Sequence, residues 1–225
     1  MRIKTFIIGA IAALTTATQA QNLLDNGSFE TSGPGFVAFE SWANFGNIFQ
    51  ADSGEIIAQD GSFTAKMFGA TNGAQSDQVL TQNVPATEGE LYTLTTYCQN
   101  LSSDSLGEEN VILAQLVFRN ASGDALETVE TDAIDPVSDP LDTWVMAELS
   151  AVAPVGTTNV DVFLLHIQLG TDQGFPTQGG GASFWDNVSL TTGDAPCSNP
   201  ADLNGDGELN FFDVSAFLTL YGEGC

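Results

Sequence analysis

The run Ile112-Leu113-Ala114-Gln115-Leu116-Val117-Phe118-Arg119 decides the fold class of this chain. Its even-numbered positions from Ile112 to Phe118 are all apolar, whereas Gln115 and Arg119 fall on the opposite side. A period of two residues is typical of a β-strand with one face buried and the other open to solvent. The run therefore predicts a strand whose apolar side belongs to a core.

The same alternation recurs along most of the chain. Tyr92–Cys98 and Val160–Leu164 are two further examples, and clusters of Gly, Asn, Asp and Ser separate the apolar runs. Between Gln21 and Thr192 no comparable stretch has convincing helical periodicity. Short strands at this spacing predict a mainly β domain over residues 21–192, a jelly-roll β-sandwich.

The first twenty residues have the order of a secretory signal. Arg2 and Lys4 form a charged start, an apolar segment follows, and Thr18-Gln19-Ala20 provides a cleavage site before Gln21. The apolar segment is too short for a spanning helix, and no later stretch approaches the ~20 apolar residues that a membrane span needs. We expect residues 1–20 to be removed, and the mature protein to be secreted and extracellular or associated with the cell surface.

The charge of the mature chain is strongly negative. Loss of Arg2 and Lys4 leaves Lys66 and Arg119 against 29 acidic residues, so the formal charge moves from −25 to about −27. Such a surface repels nucleic acid and anionic lipid and favours divalent cations. We therefore expect no nucleic-acid partner, and a ligand that is neutral or basic rather than acidic.

Two short motifs mark the ends of the predicted β domain. Asn22-Leu23-Leu24-Asp25-Asn26-Gly27-Ser28-Phe29-Glu30 opens it, and Ser183-Phe184-Trp185-Asp186-Asn187-Val188-Ser189-Leu190 closes it. The pair resembles the first and last strands of carbohydrate-binding modules of families four and nine, within the galactose-binding-like jelly rolls. Shorter matching segments lie between them, so the resemblance covers nearly the whole domain. It implies a jelly roll that binds polysaccharide without catalysing a reaction.

That family often holds a structural calcium ion where its terminal strands meet. Glu30 and Asp186 match the acidic positions of the two end motifs, so the resemblance implies that they bind this ion. If the end strands pair, the two carboxylates come close, and without a cation they repel or take up a proton. The alternative is that both are solvated residues at a sheet edge.

Sugar binding on a sheet needs flat aromatic faces for pyranose rings, and amides or charged groups for the hydroxyls. We predict that Trp42, Tyr97, Gln115 and Arg119 form this site, because Trp42 lies in a loop-like stretch and Tyr97 faces away from the core side of its strand. We expect His166, the only histidine, to be a packed strand residue rather than a metal ligand or catalyst. The remaining aromatic and amide candidates are Trp144, Trp185 and Gln168.

A second informative stretch lies near the C-terminus, Asp202-Leu203-Asn204-Gly205-Asp206-Gly207-Glu208-Leu209-Asn210-Phe211-Phe212-Asp213. Oxygen-bearing side chains occupy loop positions 1, 3, 5, 9 and 12, and glycine occupies position 6, as in calcium-binding loops of the EF-hand type. The pattern predicts a calcium site whose ligands are Asp202, Asn204, Asp206, the Glu208 carbonyl, Asn210 and Asp213.

The surroundings of this loop distinguish it from a complete EF-hand. Pro196 and Pro200 disfavour a helix before it, whereas apolar residues at helical spacing from Phe211 to Tyr221 predict one after it. With aspartate at position 12 and a single exiting helix, residues 199–225 resemble one repeat of a type I dockerin. Dockerins carry two such repeats and bind cohesin domains. The resemblance implies a calcium-dependent docking module, joined to the β domain by a linker over residues 193–198.

The three cysteines divide between the two parts of the chain. Cys197 and Cys225 bracket the calcium module, and a module this small commonly needs a metal or a disulfide for stability. Export permits the bond, so we predict that these two cysteines pair. Cys98 lies in an apolar strand and is expected to be a buried free thiol.

The sequence leaves three functions to compare. One is a secreted, non-catalytic polysaccharide-binding protein whose tail docks to a cohesin-like or cell-surface protein. The second is a structural or adhesive envelope protein that binds no sugar, and the third is an accessory piece of a glycoside hydrolase system. A lone histidine, a buried cysteine and no nucleophile elbow argue against intrinsic catalysis.

Overall fold

The computed structural model describes residues 21–70, 72–174, 180–193, 201, 203 and 209–223. Within these residues, ten strands form two five-stranded antiparallel sheets, and one α-helix follows them. The first sheet has the order β1-β4-β9-β6-β7, and the second has the order β2-β3-β10-β5-β8. The elements are β1 (Ala43–Phe45), β2 (Ile48–Ala51), β3 (Thr64–Phe68), β4 (Ser76–Pro85), β5 (Leu91–Asn100), β6 (Asn110–Arg119), β7 (Ala125–Ile134), β8 (Val145–Val152), β9 (Asn159–Gln168), β10 (Ala182–Gly193) and α1 (Phe211–Glu223).

The alternation of buried and outward-facing residues along the strands explains this architecture. The predicted strand runs lie in β5, β6 and β9, and in each of them every second residue is buried between the sheets. Ile112, Leu116 and Phe118 of β6 belong to the same core as Tyr92 and Leu94 of β5. The mainly β sandwich predicted from the alternation is therefore confirmed.

The two end motifs meet, as their resemblance to terminal strands implied. The opening segment runs beside β10, with Leu23 N donating to Leu190 O at 2.8 Å and Val188 N donating to Gly27 O at 2.8 Å. A side chain at Gly27 would lie 2.1 Å from the carbonyl oxygen of Val188, so only glycine permits this approach. The pairing of β10 with β5 shifts register between Asp186 and Ser189, where Asn187 has a φ of 49°.

A segment over residues 52–60, which we call the roof, packs on the outer side of the second sheet. Its Ile56 is buried in a small apolar cluster with Phe184 of β10. Lys66 of β3 pairs with Glu55 of the roof, and its ammonium lies 5.3 Å from the centre of the Phe184 ring. The roof therefore covers part of this sheet, and the ion pair and cation–π contact of Lys66 stabilise its position.

A buried hydrogen-bond chain joins the two sheets. His166 of β9 is fully buried, with Nδ1 at 3.0 Å from Ser183 Oγ of β10 and Nε2 at 3.0 Å from Asn110 Oδ1 of β6. Burial lowers the pKa of His166 to about 4, so the ring is neutral at physiological pH. The expectation of a packed strand residue is confirmed, and the ring links the sheets rather than facing solvent.

Most of the described tail is the helix α1, which begins at Phe211 as the spacing of its apolar residues predicted. Asn210 caps it, because its Oδ1 accepts a hydrogen bond from Phe212 N at 2.7 Å. The signal segment, residues 194–198 of the linker, most of the calcium loop, and both Cys197 and Cys225 lie outside the described residues. Cys98 is a buried free thiol, as expected, and burial raises its pKa. No helix among the described residues is long and apolar enough to cross a membrane.

Candidate functional site

The outer side of the first sheet carries a band of apolar side chains, which we call the open face. Strand pairing places Phe45, Val79, Leu165 and Leu113 in one row across β1, β4, β9 and β6. The neighbouring row contains Thr81, Phe163 and Gln115. The central side chains of these rows are half-buried, and Phe45 is 68% exposed. The band therefore presents apolar surface that the sandwich core does not cover.

A polar network borders one end of the open face. Arg119 Nε donates to Asp161 Oδ2, and Asn83 Nδ2 donates to Asp161 Oδ1 at 2.6 Å. Asn159 Nδ2 extends the network by donating to Asn83 Oδ1 at 3.1 Å. Gln115 lies between this network and the apolar row, and its amide donates to Glu130 Oε2 at 2.9 Å. Hydroxyl-binding groups and apolar surface thus occur side by side on one sheet.

The predicted sugar-site residues do not all lie together. Gln115 and Arg119 are on the open face, whereas Tyr97 is on the outer side of the second sheet, opposite Met146 and Asp186. The two outer sides point away from each other, because the core separates the sheets. Tyr97 therefore cannot share a ligand contact with Gln115.

Trp42 is a correction to the prediction. Its side chain is 2% exposed, and its indole Nε1–H donates to Asp25 O at 3.2 Å and to Asn26 O at 3.1 Å. The ring packs on Phe29, with ring centres 5.5 Å apart. A loop-like sequence around Trp42 suggested exposure, but the opening segment folds over the ring and buries it.

The remaining aromatic and amide candidates divide in a similar way. Trp185 and Gln168 are buried, and Gln168 Nε2 donates to Ala70 O at 2.6 Å. Trp144 is half-buried under the roof, where its indole N–H donates to Ile57 O at 3.1 Å. Only Trp144 among the three tryptophans keeps substantial access to solvent.

Sequence reasoning missed the two aromatic residues of the open face, Phe45 and Phe163. The signal for Phe163 was present in the Val160–Leu164 run, where Val160, Val162 and Leu164 alternate toward the core. Phe163 and Leu165 lie on the opposite side of the strand and are also apolar, so this strand has apolar residues on both faces. Phe45 lies in a strand of three residues, too short for its phase to be read from sequence.

Glu30 and Asp186 hold two ends of one loop. Glu30 Oε1 accepts hydrogen bonds from the backbone of Ser62 and Phe63, and Asp186 Oδ2 accepts them from Gln59 and Asp60, all at 2.8–3.0 Å. Asp186 is fully buried, and desolvation raises its pKa to about 6. No group of three or more His, Cys, Asp or Glu side chains among the described residues is arranged to hold a metal ion. Yet a buried carboxylate without a cationic partner is one that a cation would stabilise.

The described ends of the predicted calcium loop are drawn together by Asp213, the residue at loop position 12. This carboxylate is buried, with Oδ1 accepting from Leu203 N at 3.0 Å and Oδ2 from Asn210 N at 2.8 Å. Asp213 therefore reaches back to the start of the loop, as a ligand at position 12 must. Asp202, Asn204, Asp206 and Glu208 lie outside the described residues.

No protein-family model matches the sequence, and no curated protein has significant similarity to it. Two solved structures with a similar fold are the enzymatically active domain of tailspike protein 4 from bacteriophage CBA120 and TmCBM61 in complex with β-1,4-galactotriose. The TM-scores are 0.53 and 0.51, with 15% and 16% identity, over 76% and 77% of this chain. The match spans 21% of the tailspike chain and 100% of TmCBM61. The chain thus shares the β-sandwich fold of carbohydrate-binding modules.

Proposed function

We propose that the mature protein is an exported, non-catalytic carbohydrate-binding protein whose open face holds a neutral or basic polysaccharide. The observation that carries the proposal is the placement of Phe163 directly opposite Gln115 in adjacent strands of the open face. An aromatic ring beside a primary amide supplies both kinds of contact that a pyranose needs. The shared fold with TmCBM61, a module described in complex with a galactotriose, supports the same class of ligand.

The spacing of the aromatic residues suits a chain of sugar units. Phe45 and Phe163 lie two strands and two residues apart, which is roughly 12 Å for ordinary sheet geometry. A short oligosaccharide lying diagonally across the face can contact both rings. Acidic side chains such as Asp161 and Glu130 accept hydrogen bonds from hydroxyls and disfavour acidic glycans.

We expect Phe163→Ala and Phe45→Ala each to weaken retention on a polysaccharide affinity gel. Loss of one aromatic contact costs about 0.5–1.5 kcal/mol, which is about 2- to 12-fold in affinity. Phe49→Ala is the control, because Phe49 is another solvent-accessible phenylalanine, 54% exposed, but on the second sheet. Circular dichroism would verify that all three variants keep the fold.

Two outcomes would contradict the proposal. If the Phe163 and Phe45 variants migrate like the parent on every polysaccharide that retains the parent, the open face is not the binding surface. If no polysaccharide retains the parent, the protein belongs to the class of structural or adhesive envelope proteins.

We further propose that calcium binds at two places. One is the tail loop with Asp202, Asn204, Asp206, Glu208, Asn210 and Asp213, supported by the reach of Asp213 to Leu203. The other is the junction of Glu30 and Asp186, supported by the uncompensated buried carboxylate of Asp186. When bound, the ion would neutralise carboxylates in a strongly acidic part of the chain, because residues 199–225 contain no Lys or Arg.

Hydrogen exchange in calcium and in chelator would test each calcium site separately. We expect calcium to slow amide exchange both in residues 211–223 and in residues 59–63. Asp202→Ala should abolish the calcium-dependent slowing of exchange in residues 211–223 only. Glu30→Gln should abolish it in residues 59–63 only, so each variant is the control for the other. Equal exchange in calcium and chelator at either region would overturn the site proposed there.

The tail is proposed as the docking element. Six apolar side chains of α1 are exposed, a pattern that favours contact with a partner. The dockerin resemblance implies that the partner is a cohesin-like or cell-surface protein. If that partner also binds a glycoside hydrolase, this protein would be an accessory component of the hydrolase system. The six residues are Phe211, Phe212, Val214, Phe217, Leu218 and Tyr221.

A further inference from the structure

The roof leaves a pocket of about 350 Å³ between itself and the second sheet. Trp144, Gln99 and Asp142 line it together with apolar side chains that include Ile57 and Leu101. This pocket lies on the side of the sandwich opposite the open face, because Gln99 is an outward residue of β5. It therefore belongs to a different surface from the one described above.

Gln99 is the most informative residue of this pocket. Its side chain is 6% exposed, and within the described residues its amide has no hydrogen-bond partner. A primary amide has two N–H donors and one acceptor, and in Gln99 these atoms are not among the enclosed, unpaired polar atoms of the described fold, which are the hydroxyls of Thr64 and Thr96. The amide lines the pocket, so a molecule that enters the pocket can satisfy it.

Trp144 supplies a fixed aromatic wall. Its indole N–H donates to Ile57 O of the roof at 3.1 Å, which uses the one polar atom of the ring and fixes its orientation. What the ring offers to the pocket is therefore its apolar surface. Lys66 holds the roof in place through its ion pair with Glu55 and its position over Phe184, so the wall is preorganised.

Asp142 adds an acceptor at the same pocket. Its Oδ1 accepts a hydrogen bond from Ser102 N at 2.8 Å, which fixes the carboxylate at the end of its loop. An aromatic surface, an amide with free donors and an acceptor, and a carboxylate together match a polyhydroxylated ring. The carboxylates of Asp142 and Glu55 disfavour an anionic ligand.

We propose that this pocket is a second carbohydrate site that takes a single neutral pyranose unit between Trp144 and Gln99. Its volume of about 350 Å³ suits one sugar unit, in contrast with the extended open face. The proposal does not depend on sugar binding by the open face. Together the two sites would give the protein two independent glycan contacts on opposite sides.

The three tryptophans make a site-specific test possible. Trp42 and Trp185 are buried, so only the indole of Trp144 can respond directly to a ligand in the pocket. The probes are methyl β-glycosides of galactose, glucose, xylose and mannose, added at millimolar concentration to nitrogen-15-labelled mature protein. We expect the indole N–H resonance of Trp144 and the side-chain amide of Gln99 to shift saturably with at least one glycoside.

Two variants separate the sites. Gln99→Ala should weaken the Trp144 response about tenfold, the value of one or two hydrogen bonds, without loss of stability because the amide makes no bond within the described fold. Gln115→Ala on the open face is the matched control and should leave the response unchanged. If retention on the affinity gel depends on Phe163 but the Trp144 resonance does not shift with any of the four glycosides, the pocket proposal is wrong and the open-face proposal stands. An undiminished response in Gln99→Ala would overturn the pocket proposal as well.

Discussion

Replacing Trp42 with alanine is expected to lower the free energy of unfolding by about 3–5 kcal/mol, the cost of removing a large aromatic side chain from a core. Trp42 is fully enclosed, packs on Phe29, and donates its indole N–H to two carbonyls of the opening segment. Denaturant titration would measure the loss. At temperatures where the variant stays folded, its affinity for polysaccharide should match that of the parent, because the ring does not reach the surface.

Two further variants serve as controls for the stability loss expected of Trp42→Ala. Trp42→Phe keeps most of the apolar volume and removes the donor, so it should cost less than the alanine variant. Tyr97→Ala removes a half-exposed ring and should change stability little, as surface substitutions usually do. A Trp42→Ala variant that is as stable as the parent but no longer binds polysaccharide would restore Trp42 as a ligand contact.

Acidification should remove about 3 kcal/mol of stability through His166 between about pH 6.5 and pH 4. The folded protein keeps the ring neutral, because burial lowers its pKa to about 4, whereas the unfolded chain takes up a proton below its ordinary pKa near 6.5. The unfolded state therefore binds more protons in this window. Stability is fully present above it and falls with falling pH.

The effect of His166 must be separated from that of Asp186, which has the opposite sign. Burial raises the pKa of Asp186 to about 6, so in chelator its contribution is lost as pH rises through that value. Comparing the parent with His166→Gln cancels the Asp186 contribution, because both proteins carry it. The stability difference between them should shrink by about 1.4 kcal/mol for each pH unit below 6.5. A difference that is constant from pH 7 to pH 4 would show that His166 titrates normally in the folded protein.

The sequence predicted the fold well because the strand signal is local. Alternation in Tyr92–Cys98, Ile112–Phe118 and Val160–Leu164 depends only on neighbours along the chain, and all three runs lie in strands. The contact between the two end motifs was also predictable, because these motifs resemble the first and last strands of carbohydrate-binding modules.

The candidate site was harder to predict, because it depends on which sheet each strand joins. Tyr97 and Gln115 both point outward from their strands, yet strand order places them on opposite sides of the sandwich. Burial of Trp42 depends on where the opening segment runs, and exposure of Trp144 depends on the path of the roof. Neither path has a local signature.

The last strand of the sandwich lies in the middle of its sheet, and this has a mechanical consequence. β10 is bonded to β3 on one side and to β5 on the other, and the tail continues from its end at Gly193. A pull on the tail by a docked partner would act along β10 and load many backbone hydrogen bonds at once. An edge strand under the same tension would peel away one bond at a time. If the proposed glycan and docking contacts both form, the central position of β10 would help the sandwich to resist tension between them.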